Sequence, residues 1–347
     1  MKRIVLCFDG TWNKPGDEAM PPEERVESNV SRFYRSVAGV GADGVEQVKW
    51  YNQGVGTQWY DRIAGGAFGA GLDFHIIAGY QHLAETYADG DEVYIVGFSR
   101  GAYTARSLVG MVRNCGLVSA QAASWLAPVA YGIYRTRDDG PDSRVAVAFR
   151  SHFAREISIR FVGVWDTVGA LGIPLRVFDR LNREFHAFHD LRLSKIVGNA
   201  YHAVALDEHR EDYDVCLWEP SERPEQTLEQ RWFVGAHADV GGGYADDQGY
   251  AERRLSDIAL RWLQEKAAAL GLGLDPVTVA DTNYRGPIHD SYAEFLDGLY
   301  AREHQPHYRG VLATSFGNEM LDKSIDLRRG ADAGYRPPNE GLPALGG

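Results

Sequence analysis

The feature that most constrains this chain is the pentapeptide Gly97-Phe98-Ser99-Arg100-Gly101, set without a gap between an apolar strand and an amphipathic helix. Val93 to Val96 reads as a buried strand. Ala102, Ala105, Leu108, Val109 and Val112 then share one helical face. A serine on so sharp a strand-to-helix turn needs small neighbours, because strand and helix approach closely there. The turn lifts the hydroxyl clear of the sheet and places the next N–H, that of Arg100, at the positive end of a helix. G-x-S-x-G in this setting is the signature of an activated serine, and Arg100 N–H is the expected oxyanion donor.

The rest of the chain alternates in the same manner. Ile4 to Phe8 is a short apolar run that ends in Asp9-Gly10-Thr11, and Val45 to Tyr51 is a second strand. Between them Val30, Phe33, Tyr34 and Val37 carry helical spacing, capped by Ser28 or Asn29. Ile76, Tyr80, Leu83, Ala84 and Tyr87 fall on one helical face. Ile157 to Trp165 is a strand ending at Asp166. Leu193 to Leu206 reads as a helix, Arg231 to Gly235 as a short strand, and Ser256 as the cap of a helix that stops near Gly271. This order predicts an α/β fold of the α/β-hydrolase type, with a mostly parallel sheet and helices on both faces. The expectation is a single domain over 1–347, with loop or cap insertions near 54–71 and 120–136 and a flexible tail over 336–347.

A nucleophilic serine needs a base, and the base needs an orienting acid. In α/β-hydrolases the acid and then the histidine follow the serine in the chain. Of 11 histidines, His237 has the best position, after Trp232-Phe233-Val234 and in a loop bent tightly by Gly241, Gly242 and Gly243. His202, inside the helical pattern, and His209 are rivals. His186 and His189 lie in a polar stretch, and His75 and His82 precede the serine. Asp166 is the best acid, because the carboxyl end of a parallel strand borders the crevice where ligands bind. Asp207 and Asp239 are alternatives. A second oxyanion donor is expected from Gly10 or Thr11, after a strand next to that of the serine.

Composition narrows the partners. A formal net charge of −12 disfavours nucleic acid and anionic membranes as general partners. Three cysteines, Cys7, Cys115 and Cys216, suit a protein without disulfides. The apolar run at the N-terminus is too short for a signal peptide, and no stretch approaches the roughly 20 apolar residues of a membrane span. A cytoplasmic protein is expected, with export only by a route that ignores N-terminal signals. Asp239, Asp246 and Asp247 offer hard oxygen ligands for calcium, but lack the ordered spacing of a calcium loop and read as turn residues. No metal or cofactor is expected.

Several segments resemble one family. FDGTWN at 8–13, GFSRGAYTAR at 97–106, VGVWDTVGALG at 162–172, ALDEHR at 205–210, GAHADVGGGY at 235–244 and GYRPPN at 334–339 are similar to the DUF2235 family. That family includes the catalytic domain of the Tle1 phospholipase effectors of type VI secretion. The resemblance implies a Ser-Asp-His triad carried by Ser99, Asp166 and His237, and hydrolysis of phospholipid or other acyl esters. Such a substrate requires an entrance for an acyl chain, for which Trp59, Tyr60 and Phe68 are candidates, and transient contact with a membrane surface. A small-molecule carboxylesterase and a catalytically idle binding module are the alternatives.

Overall fold

Five consecutive buried residues open the sheet: Ile4, Leu6 and Phe8 pack into one apolar cluster, while Val5 and Cys7 pack into another. A strand whose side chains alternate between two buried faces must lie inside a layered α/β fold. The computed structural model describes residues 1–10, 27–54, 69–136, 138–168, 191–220, 223–244 and 253–344. In chain order the elements are β1 (Arg3–Phe8), α1 (Asn29–Ser36), β2 (Gln47–Asn52), α2 (Gly69–Thr86), β3 (Glu92–Phe98), α3 (Arg100–Cys115), α4 (Ala123–Arg135) and α5 (Arg144–Phe153). There follow β4 (Ile159–Trp165), β5 (Val197–Ala205), β6 (Thr227–Phe233), α6 (His237–Gly241), α7 (Leu255–Ala269), β7 (Glu319–Leu321) and α8 (Lys323–Ala331).

The seven strands form one sheet in the order β2-β1-β3-β4-β5-β6-β7, and every neighbouring pair is parallel. Helices α2, α3 and α4 cover one face, and α1 and α7 the other. The expected α/β architecture is therefore present. Register brings the carboxyl ends to a common rim: Phe8 pairs with Gly97, Phe98 with Trp165, Trp165 with Ala203 and Ala205 with Phe233. Asp9, Ser99, Asp166 and Leu206 therefore follow strand ends on the same edge.

Two local expectations are corrected. Residues 197–205, read as part of a helix, are strand β5. Val197 and Ala200 pack into one cluster, while Tyr201, Ala203 and Ala205 pack into the other. An alanine-rich apolar run satisfies a 3.6-residue and a 2-residue period equally well, and its place between β4 and β6 decides the outcome. Ser256 is the second residue of α7 rather than its cap, which is Arg254. Toward the C-terminus Asn339 Nδ2 donates to the Leu206 and Arg309 carbonyls, Val311 N donates to the Glu340 carbonyl, and Leu342 packs on an apolar cluster.

The stretch near 120–136, expected as a cap, is mostly α4. Ala123, Leu126, Ala127, Ala130 and Tyr131 bury against the core there. None of the described residues lining the cavity around Ser99 comes from this stretch. Ser28 caps α1, accepting from Ser31 N at 3.1 Å.

Close approach explains both glycines of the serine turn. A Cβ on Gly97 would meet the Gly101 carbonyl oxygen at 2.5 Å, and one on Gly101 would meet the Phe8 carbonyl oxygen at 2.1 Å. The second clash is with backbone at the end of β1, which cannot swing aside. Gly101→Ala is expected to cost about 1–3 kcal/mol of stability in urea unfolding, as for an overpacked core; a midpoint equal to wild type would contradict this packing.

Candidate active site

Ser99 stands between β3 and α3 with φ 57° and ψ −124°, a conformation that L-residues adopt only under constraint. Its N–H donates to the Trp165 carbonyl at 3.1 Å, and its own carbonyl accepts from Tyr103 N at 3.1 Å. The turn is thus fastened to β4 on one side and to the first turn of α3 on the other. Arg100 is the first residue of that helix. A cavity of about 320 Å³ opens here, lined by Ser99, Arg100, Phe98, His237, Tyr213 and Tyr244 among others.

His237 opens α6, where sequence reading expected a loop. The helix starts because Asp239 caps it, its Oδ2 accepting from Ala236 N at 3.0 Å. Gly235, with φ 112°, permits the entry, and Gly241 leaves room for the Phe98 ring, which a Cβ would strike at 1.9 Å. Phe98 in turn packs on the His237 ring, with centroids 4.6 Å apart. The imidazole is therefore pinned to the residue before Ser99.

Asp166 is fully buried and meets His237 Nδ1 with its Oδ2 at 2.6 Å. Its Oδ1 accepts from Ala205 N at 2.9 Å. Arg309, also buried, closes the arrangement, donating from Nη1 to Oδ1 at 2.7 Å and from Nη2 to Oδ2 at 3.1 Å. Burial alone would raise the Asp166 carboxyl, but Arg309 and His237 outweigh it and hold the group well below the usual carboxylate range. Burial lowers the His237 imidazole, against the pull of Asp166. A neutral imidazole with Nδ1–H on a carboxylate keeps Nε2 as an acceptor.

A second buried carboxylate positions the backbone of the same histidine. Glu208 Oε2 accepts from His237 N at 3.2 Å and from Ser291 Oγ at 2.9 Å, while Arg210 grips both of its oxygens at 2.8 Å. Burial works to raise Glu208, but Arg210 brings it down to about 2. The Arg210 guanidinium lies 3.5 Å from the centre of the Tyr213 ring, whose edge meets His237.

The other sequence candidates have different employment. His202 is fully buried on β5; its Nε2 accepts from Thr167 N at 3.0 Å and its Nδ1 faces Gln230 Oε1 at 3.3 Å. Burial pushes it down to about 3, so it is a neutral strut beneath the Asp166 turn. His209 packs edge-on against Tyr308, and His82 stacks on Trp50. Asp239 is occupied by Ala236 N and by His289, which donates from N at 3.0 Å and pairs through Nδ1 at 2.7 Å. Gly10 N–H donates to Asp9 Oδ1 at 2.7 Å, so its expected role toward an oxyanion would require exchanging that bond. Thr11, Trp59, Tyr60, Phe68, His186, His189, Asp246 and Asp247 lie outside the described residues. Among the described residues no group of three or more histidine, cysteine or acidic side chains is placed to hold a metal ion. Likewise, no described helix is long and apolar enough to cross a membrane.

Glu208, Arg210, Ser291 and Arg309 escaped sequence reading. The first two lie in the ALDEHR segment, which pointed at the site without assigning them. Nothing in His307-Tyr308-Arg309-Gly310 distinguishes Arg309 from a surface arginine.

The fold and this rim define an α/β-hydrolase-like protein, with a serine and a carboxylate-bound histidine brought to one cavity. The chain belongs to the family described as the Tle1-like phospholipase effector of type VI secretion, catalytic domain, whose model matches residues 2–266. It is 31% identical over 243 residues to the uncharacterized protein YEL023C of Saccharomyces cerevisiae, covering 63% of this chain and 33% of that protein. An uncharacterized protein from Pseudomonas aeruginosa matches 88% of this chain and 51% of its own, with a TM-score of 0.46 and 20% identity. The Tle1 effector bound to the VgrG spike of the type VI secretion system matches 70% of this chain and 51% of its own, with a TM-score of 0.39 and 19% identity. The chain thus spans a third of the length of the yeast relative and about half of each solved chain.

Asp207, another acid that the sequence offered, has partners of its own. Its Oδ2 accepts from Gly235 N at 2.7 Å and from Tyr335 OH at 2.9 Å, and burial pushes it up to about 6. A carboxyl raised in the folded state binds its proton more tightly there, so its contribution to stability is largest at low pH and falls as pH rises from about 4 through 6. Asp207→Asn is expected to gain on wild type by about 2 kcal/mol between pH 4 and pH 7 in urea unfolding. A difference independent of pH would contradict the raised value.

Proposed function

We propose that this chain hydrolyses carboxylic esters of lipids, with Ser99 as nucleophile, His237 as base and Asp166 as the acid that orients the base. One observation carries the reading: a serine held at positive φ at the start of α3 lines the same cavity as an imidazole whose Nδ1 is bound to a buried carboxylate.

The chemistry follows from these groups. His237 Nε2 takes the Ser99 proton as Oγ attacks the ester carbonyl. Asp166 holds the ring and stabilises the imidazolium that forms. The Arg100 N–H, at the positive end of α3, receives the oxyanion, and the segment at Gly10 and Thr11 is the source of a second donor. Collapse of the tetrahedral intermediate expels the alcohol, which takes the proton back from His237. Water, deprotonated by the same imidazole, then releases the acid and restores Ser99.

A lipid is favoured over a small polar ester by family membership and by the cavity wall, where Phe98, Tyr213, Phe295 and Leu296 offer apolar contact to an acyl chain. An enzyme of this kind meets its substrate at a membrane surface, transiently.

The test is hydrolysis of a lipid panel, with products identified by mass. Wild type is expected to release fatty acid from phospholipid, and Ser99→Ala to lose at least about 1000-fold of that rate. Equal rates in the two proteins would end the proposal. Turnover of short-chain p-nitrophenyl esters alone would keep the serine hydrolase and remove the lipid.

A further inference from the structure

We propose that Arg309 is a positioning residue of this site: by gripping both oxygens of Asp166 it fixes the carboxylate that orients His237, and its charge offsets that of Asp166. The inference rests on the triad reading above and adds to it a group from residue 309, beyond the matched segment 2–266.

The geometry is that of a fork on a carboxylate, Nη1 to Oδ1 at 2.7 Å and Nη2 to Oδ2 at 3.1 Å. The guanidinium is itself anchored: Nη1 also donates to the Ala205 carbonyl at 2.7 Å, and Nη2 to the Tyr213 carbonyl. Asp166 Oδ1 accepts from Ala205 N as well. The carboxylate plane is thus set from β5 and from the 309 segment together. Arg309 is 1% exposed and Asp166 0%, so neither charge is shared with water. Two such charges are kept in a protein interior only if each satisfies the other.

The electrostatic consequence is specific. A triad acid ordinarily presents an uncompensated negative charge to the imidazolium. Here the same carboxylate also faces a buried cation. Among the described residues, other charged or titratable groups that face the ring or share its cavity are Glu208, Arg210 and Tyr213 from the segment after β5, Arg100 on α3, and Tyr244 and Glu294. The fork of Arg210 is taken by Glu208, and His202 stays neutral. Removing the Arg309 charge leaves Asp166 free to stabilise the imidazolium, so the His237 proton is held to higher pH and the base is lost earlier on acidification. With Arg309 in place, the free imidazole persists to lower pH.

The experiment follows the rate at which a fluorophosphonate reacts with Ser99 between pH 4 and 9, in wild type, Arg309→Gln and Arg309→Lys, with folding checked by circular dichroism. Arg309→Gln is expected to move the acid limb of the profile upward by about one pH unit and to lower the plateau. Arg309→Lys, which keeps the charge but not the fork, is expected to return the limb toward wild type and to label about tenfold more slowly. A folded Arg309→Gln with an unmoved limb would overturn the inference. If that variant does not fold, Arg309→Lys labelling at the wild-type rate does so. Failure of the triad reading looks different: wild type itself would not be labelled.

Discussion

A carboxylate shut away from water has to find all of its partners inside the protein, and Asp166 finds them on three separate stretches of chain. Ala205 N comes from the end of β5, His237 Nδ1 from the start of α6 and the guanidinium from Arg309. None of these contacts exists in the unfolded chain. Removing the guanidinium strands a buried charge, which is costly. The rim of the sheet is therefore held as a unit, and that unit positions the imidazole together with Phe98 and Glu208.

The serine turn is held by sterics instead. Gly97 and Gly101 let β3, α3 and the end of β1 approach to distances that any Cβ would forbid, and Ser99 stands between them at positive φ. Gly241 extends the same logic across the cavity by admitting Phe98, which then packs on His237. Two independent devices, one steric and one electrostatic, converge on the same cavity.

Much of this was legible in the chain. The serine turn, the parallel strands β1, β3 and β4, and the choice of Asp166 and His237 as a pair all follow from where apolar runs end. Position after a strand is a local property, and a sequence displays it. The failures have a common cause. Residues 197–205 read as a helix because small apolar residues fit either period, and only neighbours on both sides make them a strand. His202 looked like a rival base because nothing local reveals that Thr167 N and Gln230 claim its nitrogens. Arg309 was invisible because its partner is 143 residues away and its flanks carry no pattern. Contacts made by tertiary packing alone leave no periodicity to read.

The account stands on Ser99 and His237 acting as one device. The most direct measurement is mass-spectrometric mapping of the residue modified when the folded protein meets a fluorophosphonate. The account predicts a single adduct on the peptide carrying Ser99, absent when His237 is changed to Gln in a protein that still folds. An adduct on a different serine, or one on Ser99 that forms as fast without His237, would contradict it.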